Sequence, residues 1–199
     1  MKALLLIDIQ YDFLPGGSLA VPNSDEILRI ANNAIKKFDL VIASQDWHPP
    51  NHQSFAVHHP DHKLFDLIQL HGLPQCLWPI HCVQGSKGAM LSAELNLEDI
   101  DYIVQKGTNA EIDSYSAFAD NGQRKETTLD SFLQEKQVTA LYIMGLATDY
   151  CVQFTVLDAL KRGYAVFLIL DGCRGVNQSP LDSENAIREM EQAGAELIT

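Results

Sequence analysis

The sequence has no Cys-x-x-Cys pair, no run approaching the ~20 apolar residues of a membrane-spanning helix, and few cations. The first absence excludes a zinc ribbon or a thioredoxin-type redox site, and its four cysteines (Cys76, Cys82, Cys151 and Cys173) read as free thiols of a reducing compartment. The second absence, with an apolar start from Met1 to Ile7 too short for a secretory signal core, points to a cytoplasmic protein. The shortage of cations is set by 14 Lys and Arg against 26 Asp and Glu, a formal net charge of −12. A chain this acidic repels phosphate backbones and anionic lipid, so neither nucleic acid nor a membrane is an expected partner. Internal repeats, low-complexity segments and Gly/Ser-rich linkers are also missing. With 199 residues, 46% of them hydrophobic, the chain reads as a single domain over 1–199 with a sizeable core. The sequence leaves assembly into a homo-oligomer open.

Short apolar runs alternate with helical patterns along the chain. Strands are expected at Ala3–Ile7, Leu40–Ala43, Tyr102–Val104, Ala140–Met144, Ala165–Leu170 and Ala195–Ile198. Helices are expected at Ser24–Phe38, with Asn23 and Glu26 as a capping pair, and at Thr127–Glu135, Tyr150–Arg162 and Pro180–Ala193. Gly163 fits the C-terminal cap of the third helix. This alternation predicts an α/β fold of three layers, α/β/α, around a central parallel sheet of about six strands. A long insertion after strand two, rich in Pro, His and Gly, is too long for a plain connection.

Ligands of such sheets bind at the carboxyl ends of the strands. That rule gathers Asp8, Asp46, His48, Lys106, the turn Gly145–Cys151 and Asp171 at one edge. Cys151 opens a helix, where the positive end of the dipole is expected to lower its pKa and make it a nucleophile; a small buried core cysteine is the bland alternative. Asp8 ends an apolar strand, which suits a base that takes the thiol proton, and Lys106 could pair with it. Asp46-Trp47-His48 puts a carboxylate and an imidazole two residues apart. One more histidine would make a two-His, one-carboxylate metal set. All seven histidines fall between His48 and His81, so spacing leaves His52, His58, His59, His62, His71 and His81 as candidates for the third ligand. Phe13, Trp47, Trp78 and Tyr115 could wall a pocket for a flat ring, although aromatics are more often core.

Together these segments resemble the nicotinamidase branch of the isochorismatase-like hydrolases. The resemblance is carried by Leu6–Phe13 with Pro15-Gly16-Gly17, Ser44–Pro49, Trp78–Gly85, Lys106-Gly107, Asp113–Phe118 and Gly145–Val152, in that order over nearly the whole chain. It implies the isochorismatase-like fold, with the metal carried by the insertion after strand two. It implies a catalytic triad of Asp8, Lys106 and Cys151, and an oxyanion hole from the amides of Ala147 and Cys151. The metal ligands it implies are Asp46, His48 and His81, with Ser54 as a further contact. It also implies substrate contacts from Phe13 and Trp78, to which Tyr115 is added, and a cis peptide between Leu146 and Ala147. The isochorismatase and carbamoyl-amide branches typically lack the Asp-x-His and later His set. The resemblance therefore favours hydrolysis of nicotinamide to nicotinate and ammonia through a cysteine thioester, in NAD salvage, with pyrazinamide as a second amide. One divalent ion (Zn, Fe or Mn) is the expected cofactor, holding the substrate rather than generating hydroxide. The competing readings are another amide hydrolase of the superfamily, a metal- or pyridine-binding module without catalysis, and a metallohydrolase in which Cys151 is structural.

Overall fold

The computed structural model describes residues 1–199. Its strands are β1 (Lys2–Ile7), β2 (Val41–Asp46), β3 (Leu67–Leu70), β4 (Leu73–Cys76), β5 (Tyr102–Lys106), β6 (Ala140–Leu146), β7 (Ala165–Arg174) and β8 (Glu196–Ile198). Its helices are α1 (Glu26–Ile35), α2 (Leu129–Glu135), α3 (Gln153–Lys161) and α4 (Asp182–Gln192). Six strands form one sheet in the order β5-β2-β1-β6-β7-β8, and every pairing in it is parallel. The insertion between β2 and β5 adds a separate antiparallel hairpin, β3–β4.

β1 is central, and its residues Ala3 to Ile7 are all buried. That is why its sequence is a continuous apolar run instead of an alternation. α1 buries Ile27, Leu28, Ala31, Ala34 and Ile35 as one stripe against β1 and β7. The β1–β2 crossover runs one way along the sheet, and those through α2, α3 and α4 run the other. Right-handed crossovers therefore place α1 on one face and the other helices on the opposite face. The order reverses between β1 and β6, where a crevice opens beyond the strand ends. At that seam β1 and β6 approach so closely that a Cβ on Gly145 (φ +134°) would meet the Ile7 carbonyl oxygen.

Three local expectations are corrected. α1 begins at Glu26 after Asp25 with no side-chain cap; Asn23 instead takes a left-handed turn (φ +57°), a conformation Asn tolerates, so no capping pair forms. α3 begins at Gln153, because Thr148–Val152 winds as a wider π-turn that carries Cys151. β7 runs on to Arg174, and between Ile143 and Gly145 of β6 its register shifts, with Leu168 and Cys173 as the respective partners. The extra residues of that bulge leave Asp171 exposed and away from the crevice. Gly163 does close α3: its N–H and that of Tyr164 return to the carbonyls of Leu160 and Ala159.

Candidate active site

The strand register builds the site. Asp46 and Lys106 are direct partners at the ends of β2 and β5. Asp8 follows β1 by one residue, in a left-handed conformation (φ +49°), and Cys151 lies in the turn after β6. The Lys106 ammonium sits 2.9 Å from Asp8 Oδ2, 2.6 Å from Asp46 Oδ1, 2.9 Å from the Ser114 carbonyl and 3.4 Å from Cys151 Sγ. All of these side chains are buried.

Burial shapes their proton affinities. It raises Asp8, although Lys106 works the other way, and Asp8 therefore accepts a proton more readily than an ordinary aspartate. Burial also acts to raise Asp46, but Lys106, His48 and His81 more than offset it and hold that carboxylate well below the usual range. Lys106 is held firmly charged: its two carboxylates outweigh the cost of burial. The Cys151 thiol is pushed well above its ordinary value by burial, with Lys106 opposing. The lowered pKa expected from the helix end is thus overridden by desolvation, and the thiol keeps its proton until a base takes it. Asp8 Oδ2 is buried at ion-pair distance from Lys106 yet accepts no aligned hydrogen bond, which leaves a lone pair for that proton.

The histidines converge through a second set of backbone contacts. The His48 N–H donates to the Cys82 carbonyl, and the Gln84 N–H donates to the His48 carbonyl, which lays the 81–84 segment beside His48. This pairing brings His81 to the site out of six candidates. His48 Nδ1–H donates to the Gly107 carbonyl (2.9 Å), and His81 Nδ1–H donates to the Pro79 carbonyl (2.8 Å). Both rings thus turn Nε2 inward, to 3.4 and 3.8 Å from Asp46 Oδ2. His48 Nε2 is fully buried and makes no hydrogen bond. Two imidazole nitrogens with fixed tautomers and one carboxylate oxygen, all within 4.8 Å of one another, fit a divalent metal ion. Asp46 raises His48 to about 9 against the cost of burial, and a metal ion bound at Nε2 would replace that proton.

Other residues fall around this core. Ser54 is buried, and its Oγ lies 2.7 Å from His52 Nδ1, beside the histidines. A cavity over Cys151 is lined by Phe13, Trp78, His81, Tyr115, Ala147 and Tyr150, among others. Trp47 packs against the core instead. The Trp78 indole N–H donates to Tyr115 Oη (3.2 Å), tying two of these walls together. The Ala147 N–H has no protein acceptor, and the Leu146–Ala147 peptide is cis. Sequence reasoning gave no role to Asp113 or Tyr150 and left His52 among the alternatives. Asp113 is buried, lies with His48 and His52 as a second group of metal-type donors, and lines the same cavity. The block Asp113–Phe118 was the available signal for it.

Residues 2–199 match the family model described as an isochorismatase domain. The chain belongs to the isochorismatase family. An Escherichia coli nicotinamidase is 53% identical over 202 residues, covering 100% of this chain and 94% of that one. The structure of an Acinetobacter baumannii nicotinamidase/pyrazinamidase superposes with a TM-score of 0.96 at 40% identity, covering 100% and 95% of the two chains. A Pyrococcus horikoshii pyrazinamidase solved in complex with zinc gives 0.82 at 38% identity, covering 100% and 98%. No helix of this family member is long and apolar enough to cross a membrane.

The close packing of Gly107 yields a test of the histidine geometry. A Cβ there would collide with His48 Cε1, at a φ of +64° that an L side chain rarely adopts. Gly107→Ala is expected to displace the His48 ring and to loosen metal binding by about tenfold or more. Metal content after dialysis against a graded chelator series measures this. Retention equal to that of the parent would mean that the His48 ring keeps its place or that it does not hold the ion.

Proposed function

We propose that this chain hydrolyses nicotinamide to nicotinate and ammonia, with Asp8, Lys106 and Cys151 as its catalytic residues. The observation that carries the reading is the Lys106 ammonium, which touches Asp8, Asp46 and Cys151 Sγ at the foot of an aromatic cavity. One point of charge thereby joins the nucleophile, its base and the metal-type donor group. The nicotinamidases and pyrazinamidases among the relatives support the substrate class.

The ring of the substrate lies against Phe13 and Trp78, with Tyr115 fixing Trp78. Asp46, His48 and His81 would hold a divalent ion, which would supply a Lewis-acid point for a ring nitrogen of the substrate. Asp8 takes the Cys151 proton, and the sulfur attacks the amide carbon. The oxyanion that forms is stabilised by the amides of Ala147 and Cys151. As the C–N bond breaks, Asp8 gives its proton to the departing ammonia. Asp8 then takes a proton from a water, which attacks the thioester and releases nicotinate and the free thiol. Lys106 holds Asp8 beside the sulfur throughout and favours the thiolate when it forms. Zn, Fe and Mn all suit one Asp and two His, and the zinc-bound relative makes zinc the first ion to try. Pyrazinamide keeps a ring nitrogen in the equivalent position and is the second substrate of this proposal. The four cysteines are all free thiols, in keeping with a cytoplasmic setting.

The test is ammonia release by the zinc-loaded protein from nicotinamide, pyrazinamide and a carbamoyl amide, before and after iodoacetamide. Release from the first two that alkylation abolishes is the expected result. Release that survives alkylation would move the chemistry away from Cys151, and release from the carbamoyl amide alone would replace the substrate. His48→Ala is expected to lower metal content and to raise KM for nicotinamide by about tenfold or more, with a smaller loss in kcat. An unchanged KM would remove His48 from substrate anchoring.

A further inference from the structure

The backbone ladder between β1 and β2 stops short of the chemistry. Its pairs are Leu4 with Val41, Leu5 with Ile42 and Leu6 with Ala43, whereas Asp8 and Asp46 lie beyond the last of them. Two buried side chains carry the pairing onward. Ser44 Oγ accepts the Asp8 N–H (3.2 Å) and donates its own hydrogen to Asp8 Oδ1 (2.7 Å). The Gln10 carboxamide accepts the Asp46 N–H (2.8 Å) and donates to the Asp46 carbonyl (2.8 Å). The second Gln10 amide hydrogen goes to the Ala89 carbonyl (2.8 Å), where the Gln45 amide also donates (2.7 Å). Gln10 thus stands in for a neighbouring peptide unit, with its oxygen and both amide hydrogens engaged. Gln10 and Ser44 are both 0% exposed.

Neither side chain lines the cavity, so neither is placed to touch substrate. Ser44 instead holds the Asp8 carboxylate, and Gln10 holds the backbone of Asp46, the two residues between whose carboxylates Lys106 is suspended. We propose that Gln10 and Ser44 are positioning residues: they extend the β1–β2 ladder in side-chain form and set the spacing of Asp8 and Asp46 around Lys106. The proposal rests on the nicotinamide reading for its substrate assay. Displacing either carboxylate by about an ångström would move Lys106 or the base away from the sulfur, and geometry errors of that size cost large factors in rate.

The test compares the zinc-loaded parent with Ser44→Ala and Gln10→Glu. Ser44→Ala removes both contacts to Asp8 and leaves Asp46 alone. Gln10→Glu keeps the size and the acceptor but turns a carboxylate oxygen toward two carbonyls. The readouts are kcat and KM for nicotinamide, the rate of Cys151 labelling by iodoacetamide, zinc retention against a chelator, and the folded fraction from circular dichroism. Ser44→Ala is expected to lower kcat and the labelling rate by about tenfold each per folded molecule, with KM within about threefold and zinc retained. Gln10→Glu is expected to lose zinc more readily as well, because Asp46 is the residue it holds. Folded variants with kcat and labelling within about twofold of the parent would overturn the proposal. So would a loss accounted for by a smaller folded fraction, and if Gln10→Glu does not fold, Ser44→Ala decides alone. A parent that releases no ammonia from nicotinamide would sink the substrate reading, while the labelling rates would still judge the positioning.

Discussion

Cys151→Ala is expected to reduce ammonia release from nicotinamide by on the order of 10⁴-fold or more, the scale seen when a covalent nucleophile is removed. Nicotinamide binding should survive, because the walls contributed by Phe13, Trp78 and Tyr115 and the donors Asp46 and His81 lie on other segments of the chain. Trp78 lines the cavity, so quenching of its fluorescence by nicotinamide reports binding separately from turnover. The fold should be little affected. The substitution removes one buried sulfur that burial already keeps uncharged, and a small-to-medium truncation of this kind costs about 1 kcal/mol. Loss of turnover with binding retained distinguishes a nucleophile from a structural cysteine. A Cys151→Ala protein that kept near-parental turnover would force the reaction onto metal-activated water. Cys151→Ser sharpens the comparison: the shape is kept, but the alcohol is a far weaker acid than the thiol, and Asp8 would have to deprotonate it in the same dry site.

The burial that raises both Asp8 and Cys151 was not legible in the sequence, although Asp8 reads there as a base. Position alone suggested a helix-activated thiolate at Cys151. Only the folded surroundings show how dry the turn is. The alternation of strands and helices was legible because the central strands are buried on both faces and read as apolar runs. Their ends were not: Ser44, Gln45 and Asp46 extend β2, and Gln105 and Lys106 extend β5, with polar side chains that tertiary partners satisfy. A rule that expects apolar strands stops at the point where the chemistry starts. Asp171 failed for a different reason, since a bulge in β7 has no reliable signature in composition. His81 illustrates the limit of spacing. It reaches His48 through backbone pairing across more than thirty intervening residues, which the resemblance supplied and the periodicity could not. Asp113 lies beside the same metal-type group for an equally non-local reason, whereas His52 follows His48 by only four residues.

Lys106→Met should be the most damaging change to the folded state itself. The substitution keeps much of the stem and deletes the ammonium that Asp8 and Asp46 share at 2.9 and 2.6 Å. Removing one partner of a buried ion pair typically costs 3–5 kcal/mol, because the remaining charge stays buried without compensation. For a chain of this length that corresponds to a fall in Tm on the order of 10 °C. Burial already raises Asp8, and the loss of Lys106, which works to lower it, raises it further. A carboxyl whose folded pKa lies above its unfolded value stabilises the protein below the unfolded value and loses that contribution as pH rises through the folded one. The deficit of Lys106→Met relative to the parent should therefore grow as pH rises above the ordinary aspartate range and shrink toward acid. The double variant Asp8→Asn/Lys106→Met separates charge from packing: with the carboxylate gone, it should recover part of the stability that Lys106→Met lost, while neither variant regains turnover. Thermal unfolding of the three proteins across a pH series measures this. A single variant within about 1 kcal/mol of the parent at every pH would mean that the ammonium does not hold the two carboxylates together. The account of Lys106 as the common point of base, nucleophile and metal-type group would then fail with it.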